Sequence, residues 1–163
     1  MVTLIAAMSK GNVIGNKGSI PWGKKQRADI DHFRSITLNQ TIIVGASTFE
    51  ADGFPLNDRK HIVVTREEKT DSDNVIYMNF AEVLDYMQAH DSINFYVIGG
   101  EAIFKLFISY ADVLDLTFID AEYDGDRFFP DLNKSTWRKT SKQCFDKDSD
   151  NLHDYCFVRY KRN

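Results

Sequence analysis

Thr3-Leu4-Ile5-Ala6-Ala7-Met8 is an unbroken apolar run of strand length. It shows no alternation, so it reads as a central strand buried on both faces. Working outward, Thr41-Ile42-Ile43-Val44-Gly45, His61-Ile62-Val63-Val64-Thr65, Val75-Ile76-Tyr77 and Asn94-Phe95-Tyr96-Val97-Ile98 repeat the pattern. Helical spacing lies between them at 26–38, 80–87 and 101–108. A short start at Ser47-Thr48-Phe49-Glu50 has Ser47 or Thr48 as its expected cap. Strands alternating with helices imply an α/β fold, a mainly parallel central sheet with helices on both faces. Residues 113–119 add a strand, and 137–145 with 155–160 read as an antiparallel C-terminal edge hairpin. No repeat, low-complexity tract or linker interrupts the 163 residues, so a single domain is expected.

Composition narrows the function. Hydrophobic content of 43% and charged content of 27% are ordinary for a soluble globular protein. A net charge of −4 argues against a dedicated nucleic-acid binder. The densest basic stretch, Lys24-Lys25-Gln26-Arg27, is too short to change that. No apolar run approaches the roughly 20 residues that cross a bilayer, and the N-terminus lacks the basic start and cleavage site of a signal peptide. Cys144 and Cys156 make no metal spacing. They are expected as free, small hydrophobes in a reducing cytoplasm.

The 26–38 helix carries the first chemical signal. Projected at about 100° per residue, Phe33, Ile36 and Thr37 share one side, with Ile30 at the margin and Asp29 inside the arc. Asp31 points the other way, with Arg34 and Ser35. A carboxylate in an apolar stripe is costly without a partner, and desolvation raises its pKa. Asp29 is therefore either a rim acid held by a backbone donor or a working acid. The loop at 9–22, rich in Gly and Asn, is long for a structureless connection and reads as a functional lid.

Ligands of open α/β sheets bind at the carboxyl ends of the strands. Gly45-Ala46-Ser47-Thr48, Thr65-Arg66 and Gly99-Gly100-Glu101-Ala102 all fall there. Glycines at a strand-to-helix turn let backbone approach a phosphate, although a glycine pair is more often simply a turn. Neither a G-x-G-x-x-G nor a G-x-x-x-x-G-K-[ST] motif is present. None of the four histidines is spaced for metal ligation. His32 and His61 flank apolar elements, and His61 and His153 read as surface or strand-edge residues.

The order of the pieces is more specific than any one of them. Ile5-Ala6-Ala7 precedes Val13-Ile14-Gly15, then Ile20-Pro21-Trp22, then Asp29-x-x-x-Phe33-x-x-x-Thr37. Val44-Gly45-x-x-Thr48-Phe49-Glu50, Pro55-Leu56-x-x-Arg59, Val64-Thr65-Arg66 and Val97-Ile98-Gly99-Gly100 follow. The series ends with Asp120-Ala121-Glu122-Tyr123-Asp124-Gly125-Asp126 and Phe129-Pro130. Over essentially its whole length the sequence resembles dihydrofolate reductase of the bacterial type.

That resemblance implies reduction of 7,8-dihydrofolate to tetrahydrofolate with NADPH, in a cytoplasmic monomer inhibited by antifolates such as trimethoprim or methotrexate. It implies catalytic roles for Asp29, Thr117 and Trp22. Asp29 would grip the pterin as a fork and supply the N5 proton through a water, with Thr117 bonded to it or to that water. Ile5, Ala7, Ile30, Phe33 and Leu56 would line the substrate pocket, and Arg59 would clamp the glutamate carboxylate. The cofactor would meet Ala6, Ala7, Ile14, Gly15, Ile20, Gly45, Ser47, Thr48, Thr65, Arg66, Gly99, Gly100, Glu101, Ala102, Ile103 and Phe104. The family also implies a cis Gly99–Gly100 bond and a lid held by Asp126.

Departures from the family are visible. Two extra residues between Trp22 and Asp29, and the loss of a Pro there, predict a looser lid hinge. Ala46 and Ser47 stand where a basic residue usually meets the cofactor phosphates. Phe104 replaces a common Tyr. Leu152 replaces the Ser that holds a second lid position in some members. Two alternatives remain: the reductase half of a riboflavin-pathway deaminase-reductase, and a fold-alike that binds dinucleotide without catalysis. Trp22 with Asp29-x-x-x-Phe33 disfavours the first, and an intact Asp29 and lid disfavour the second.

Overall fold

The computed structural model describes residues 1–51 and 53–163. The apolar run that opens the chain is β1 (Val2–Met8), followed by β2 (Val13–Gly15), α1 (Arg27–Thr37), β3 (Thr41–Gly45) and α2 (Ala46–Phe49). Next come β4 (Lys60–Val64), β5 (Val75–Met78), α3 (Phe80–Ala89), β6 (Phe95–Gly99) and α4 (Glu101–Phe107). The chain ends with β7 (Val113–Ile119), β8 (Arg127–Phe128), β9 (Trp137–Phe145) and β10 (Tyr155–Arg162). Eight strands form one sheet in the order β5-β4-β3-β6-β1-β7-β10-β9. Pairings from β5 through β7 are parallel, and β10 runs antiparallel to both β7 and β9.

Alternation along each strand sorts its side chains between two faces. Leu4, Ile43, Ile62, Val97, Leu114 and Leu116 point to one face, where Val83 of α3 and Ile103, Phe104 and Phe107 of α4 complete the main core. Full burial of each such side chain contributes roughly 1.5–3 kcal/mol. Val44, Val63 and Val75 point to the other face, against Phe49 of α2. Helices therefore cover both faces, as the alternating pattern requires.

Several expectations change. The 9–22 loop is not structureless: a 3-10 turn spans Lys10–Asn12, and β2 pairs with β8 in a small second sheet. Strands this short leave no periodicity to read. The N-cap of α2 is Gly45, and Ser47 and Thr48 lie inside the helix. His61 is no surface residue. It is 1% exposed and its Nε2 accepts from the Leu56 N–H at 3.0 Å, while burial lowers its pKa.

The cysteines are also corrected. Cys144 and Cys156 are direct cross-strand partners in β9 and β10, and they form a disulfide. Their separation of 12 residues in sequence gives no hint of this, because the register of the hairpin decides which side chains meet.

Candidate active site

The odd-numbered face of the central strands builds the site floor. Ile5 lies opposite Asp115 and Ala7 opposite Thr117 across β1 and β7. On the far side of β7, Phe157 pairs with Thr117 and Arg159 with Asp115. These residues alternate by two, so all six project to one face. Helix α1 lies over it, which its Asp29–Thr117 and His32–Phe157 contacts establish.

Asp29 occupies the first turn of α1, half-buried. Burial pushes its carboxyl above the usual carboxylate range. The Thr117 hydroxyl, which faces it, and the nearby His32 oppose that push, while Asp115 adds to it. Asp31 is solvated and pairs with Arg27 at 3.0 Å. The two acids of the helix therefore differ as its projection indicated.

The end of α1 fixes Arg59. Its Nη2 donates to the Arg34 carbonyl at 3.2 Å and its Nε to Thr37 Oγ1 at 3.3 Å. A guanidinium held this way keeps one orientation at the rim. The start of α1 is fixed from afar. Gln26 gives no side-chain cap. Instead the Ala28 N–H donates to Asn151 Oδ1 at 2.8 Å and the Arg27 N–H to the Asp150 carbonyl at 3.1 Å. Gln26 is 1% exposed, with its amide bonded both ways to the His153 backbone. Leu152 N–H also donates to the Lys25 carbonyl at 2.9 Å. The expected loose hinge is thus stitched to the 148–153 loop through Lys25, Gln26, Arg27 and Ala28.

The lid is anchored as well. Asp126 accepts from the Lys17 N–H at 3.1 Å, and its own N–H donates to the Gly15 carbonyl at 3.0 Å. Trp22 is 4% exposed and packs on Tyr123, whereas Ile20 stands out at 55%. Further along the sheet, β3 and β6 are neighbours and end in Gly45 and Gly99-Gly100. The Gly99–Gly100 bond is cis. A Cβ on Gly45 would stand 2.8 Å from Ile103 Cγ1, and one on Gly100 would stand 3.2 Å from Thr48 Oγ1. Both turns are thus packed too closely for a Cβ, against Ile103 and Thr48, and exposed Ser47 and Arg66 and half-buried Thr65 lie at the ends of β3 and β4. Ile103 and Phe104 turn into the core.

The site combines a desolvated acid, an apolar floor, an oriented Arg and a row of glycine turns along one sheet. A family model described as dihydrofolate reductase matches residues 1–162. The chain belongs to the dihydrofolate reductase family. It is 34% identical to the dihydrofolate reductase of Bacillus subtilis over 163 residues, covering 99% of this chain and 95% of that one. It is 39% identical over 146 residues to dihydrofolate reductase type 1 of Escherichia coli, covering 88% and 90%. A solved dihydrofolate reductase from Enterococcus faecalis, complexed with NADP(H) and RAB-propyl, superposes with a TM-score of 0.89 at 32% identity, covering 100% of this chain and 96% of that one.

Sequence reading missed His32, Asp115, Gln26 and Asn151. Two of them carried a signal. His32 sits three residues after Asp29 on the same arc, and Asp115 is a lone carboxylate in the apolar strand Val113-Leu114-Asp115-Leu116-Thr117. Gln26 and Asn151 carried none, since their partners are remote in sequence.

Proposed function

We propose that Asp29 is the single working acid of this enzyme, which reduces 7,8-dihydrofolate to 5,6,7,8-tetrahydrofolate with NADPH. When bound, NADPH supplies the hydride that the pterin receives at C6. Gly45, Gly99 and Gly100, at the turns that follow β3 and β6, would bring backbone N–H groups to that cofactor. Ser47, Thr48, Thr65 and Arg66 add donors for its phosphates, and the lid residues Ile14, Gly15 and Ile20 would cover it.

Asp29 would bind the pterin amino group and ring N–H as a charge-assisted fork. Thr117 holds that carboxyl in place. A raised pKa lets Asp29 keep a proton available nearer neutral pH, and a water would pass it to N5. Ile5, Ala7, Ile30, Phe33 and Leu56 exclude bulk water around it. Arg59, already oriented, would take the glutamate carboxylate. The same reading includes a cytoplasmic monomer, one domain over 1–163, inhibited by trimethoprim or methotrexate.

The carrying observation is a desolvated carboxyl facing Thr117 on the face shared by Ile5 and Ala7. Asp29→Asn is expected to cut dihydrofolate turnover by orders of magnitude at pH 7 and to recover partly at low pH, where substrate arrives protonated. Asp31→Asn should stay near wild type. An inactive Asp31→Asn, or an Asp29→Asn that works normally at pH 7, would show that the acid had been misassigned.

A further inference from the structure

Beside Asp29 the same face holds a second charged arrangement. His32 Nε2 lies 2.7 Å from Asp115 Oδ1. An ionised carboxylate only accepts, so that ring nitrogen carries the hydrogen. Phe157 stacks on the imidazole with centroids 4.2 Å apart. Arg159 Nη2 stands 3.7 Å from the other oxygen, Asp115 Oδ2. Asp115 is 7% exposed, and its neighbours along β7 are apolar apart from Thr117. A carboxylate placed there is expensive.

Its position gives it a task. His32 is one helical turn from Asp29, and Asp115 is two residues from Thr117, whose hydroxyl faces Asp29. The groups that bear on the Asp29 carboxyl are His32 from its own helix and Asp115 and Thr117 from β7. Arg159 of β10 bears on Asp115, and Ile5 and Ala7 of β1 bring no charge. The two charges act in opposite directions: His32 favours the ionised form of Asp29 and Asp115 the protonated form.

We propose that the hydrogen-bonded His32–Asp115 pair is a positioning element for Asp29, which acts through Asp29 and sets the pH range over which that acid works. This rests on the reading of Asp29 as the working acid. A pair that merely fastened α1 to the sheet would lower stability when broken. It would not move the titration of Asp29 in opposite directions according to which member was removed.

The test follows the Asp29 carboxyl by carbon-13 NMR in the ligand-free protein, together with the pH profile of kcat. His32→Gln leaves the negative charge, so the Asp29 midpoint should move up. Turnover on the alkaline limb should then rise roughly threefold at fixed pH. Asp115→Asn removes the nearby negative charge, and both readouts should move down. The double variant should fall between the two single variants. Arg159→Gln, whose side chain is 44% exposed and tolerant of change, should give a smaller upward shift. It keeps the question decidable if a buried variant fails to fold. Shifts of both single variants in one direction, or of neither, with Asp29→Asn inactive at pH 7, overturn the role of the pair and leave the Asp29 reading standing. An active Asp29→Asn at pH 7 removes that reading and the inference with it.

Discussion

Arg66 is exposed just past β4, and the family resemblance leads one to expect a basic residue where Ala46 and Ser47 stand. The 2′-phosphate distinguishes NADPH from NADH, so its selectivity needs nearby donors. A hydrogen bond to a charged group contributes about 1.5–3 kcal/mol, and exposure moves that to the low end or below. Arg66→Ala should raise the KM for NADPH roughly three- to tenfold with little change for NADH, and Ala46→Arg should lower it. Equal losses with both cofactors would mean that Arg66 does not read the phosphate. Asp29 makes a second case, through stability. Its folded pKa lies above its unfolded value, so the folded state holds the proton more tightly. The stability this contributes is complete below the unfolded pKa and is lost as pH rises through the folded one. Asp29→Asn should therefore melt higher than wild type at pH 7. That advantage should vanish when the melts are repeated toward pH 3. A constant difference across that range would show that the charge of Asp29 is not the cause. Both effects are legible in sequence as residue types in unexpected company: an acid in an apolar arc, and an alanine where a base is usual.

At the scale of elements, α1 depends on a loop from the other end of the chain. Asn151→Ala removes the acceptor of the Ala28 N–H, and loss of such a cap costs about 1 kcal/mol. The expected result is a modest fall in melting temperature with faster amide exchange at Ala28 and Asp29. Unchanged exchange would show that the first turn of α1 stands without it. Sequence reading could not find this cap, because the two residues are 123 positions apart. It predicted the opposite, a looser hinge. Strands fared better where both ends were marked by composition: β3 and β7 were read to the residue. Segments β2 and β8 were missed, since two or three residues carry no period and pair only through tertiary contact. The hairpin of β9 and β10 was legible, but its register was not, and the register joins Cys144 to Cys156.

For the whole molecule, alternation of strands and helices was enough to predict a parallel sheet, but not the order of its strands. That order places β1 between β6 and β7, and β10 between β7 and β9. The floor of the site therefore draws on strands from both ends of the sequence: Ile5 and Ala7 come from the first, and Phe157 and Arg159 from the last. The 148–153 loop that caps α1 also arrives late. Synthesis runs from the N-terminus, and early segments begin to fold as they emerge. A ribosome-bound chain that has not yet delivered Asp148 can form β1, β3 and β6. It must leave the outer edge of β7 unpaired, the Asp29 helix uncapped and the His32 ring without its stacking partner. Catalytic competence therefore arrives late and together, only once residues 148–162 have been translated and have closed over what was made first.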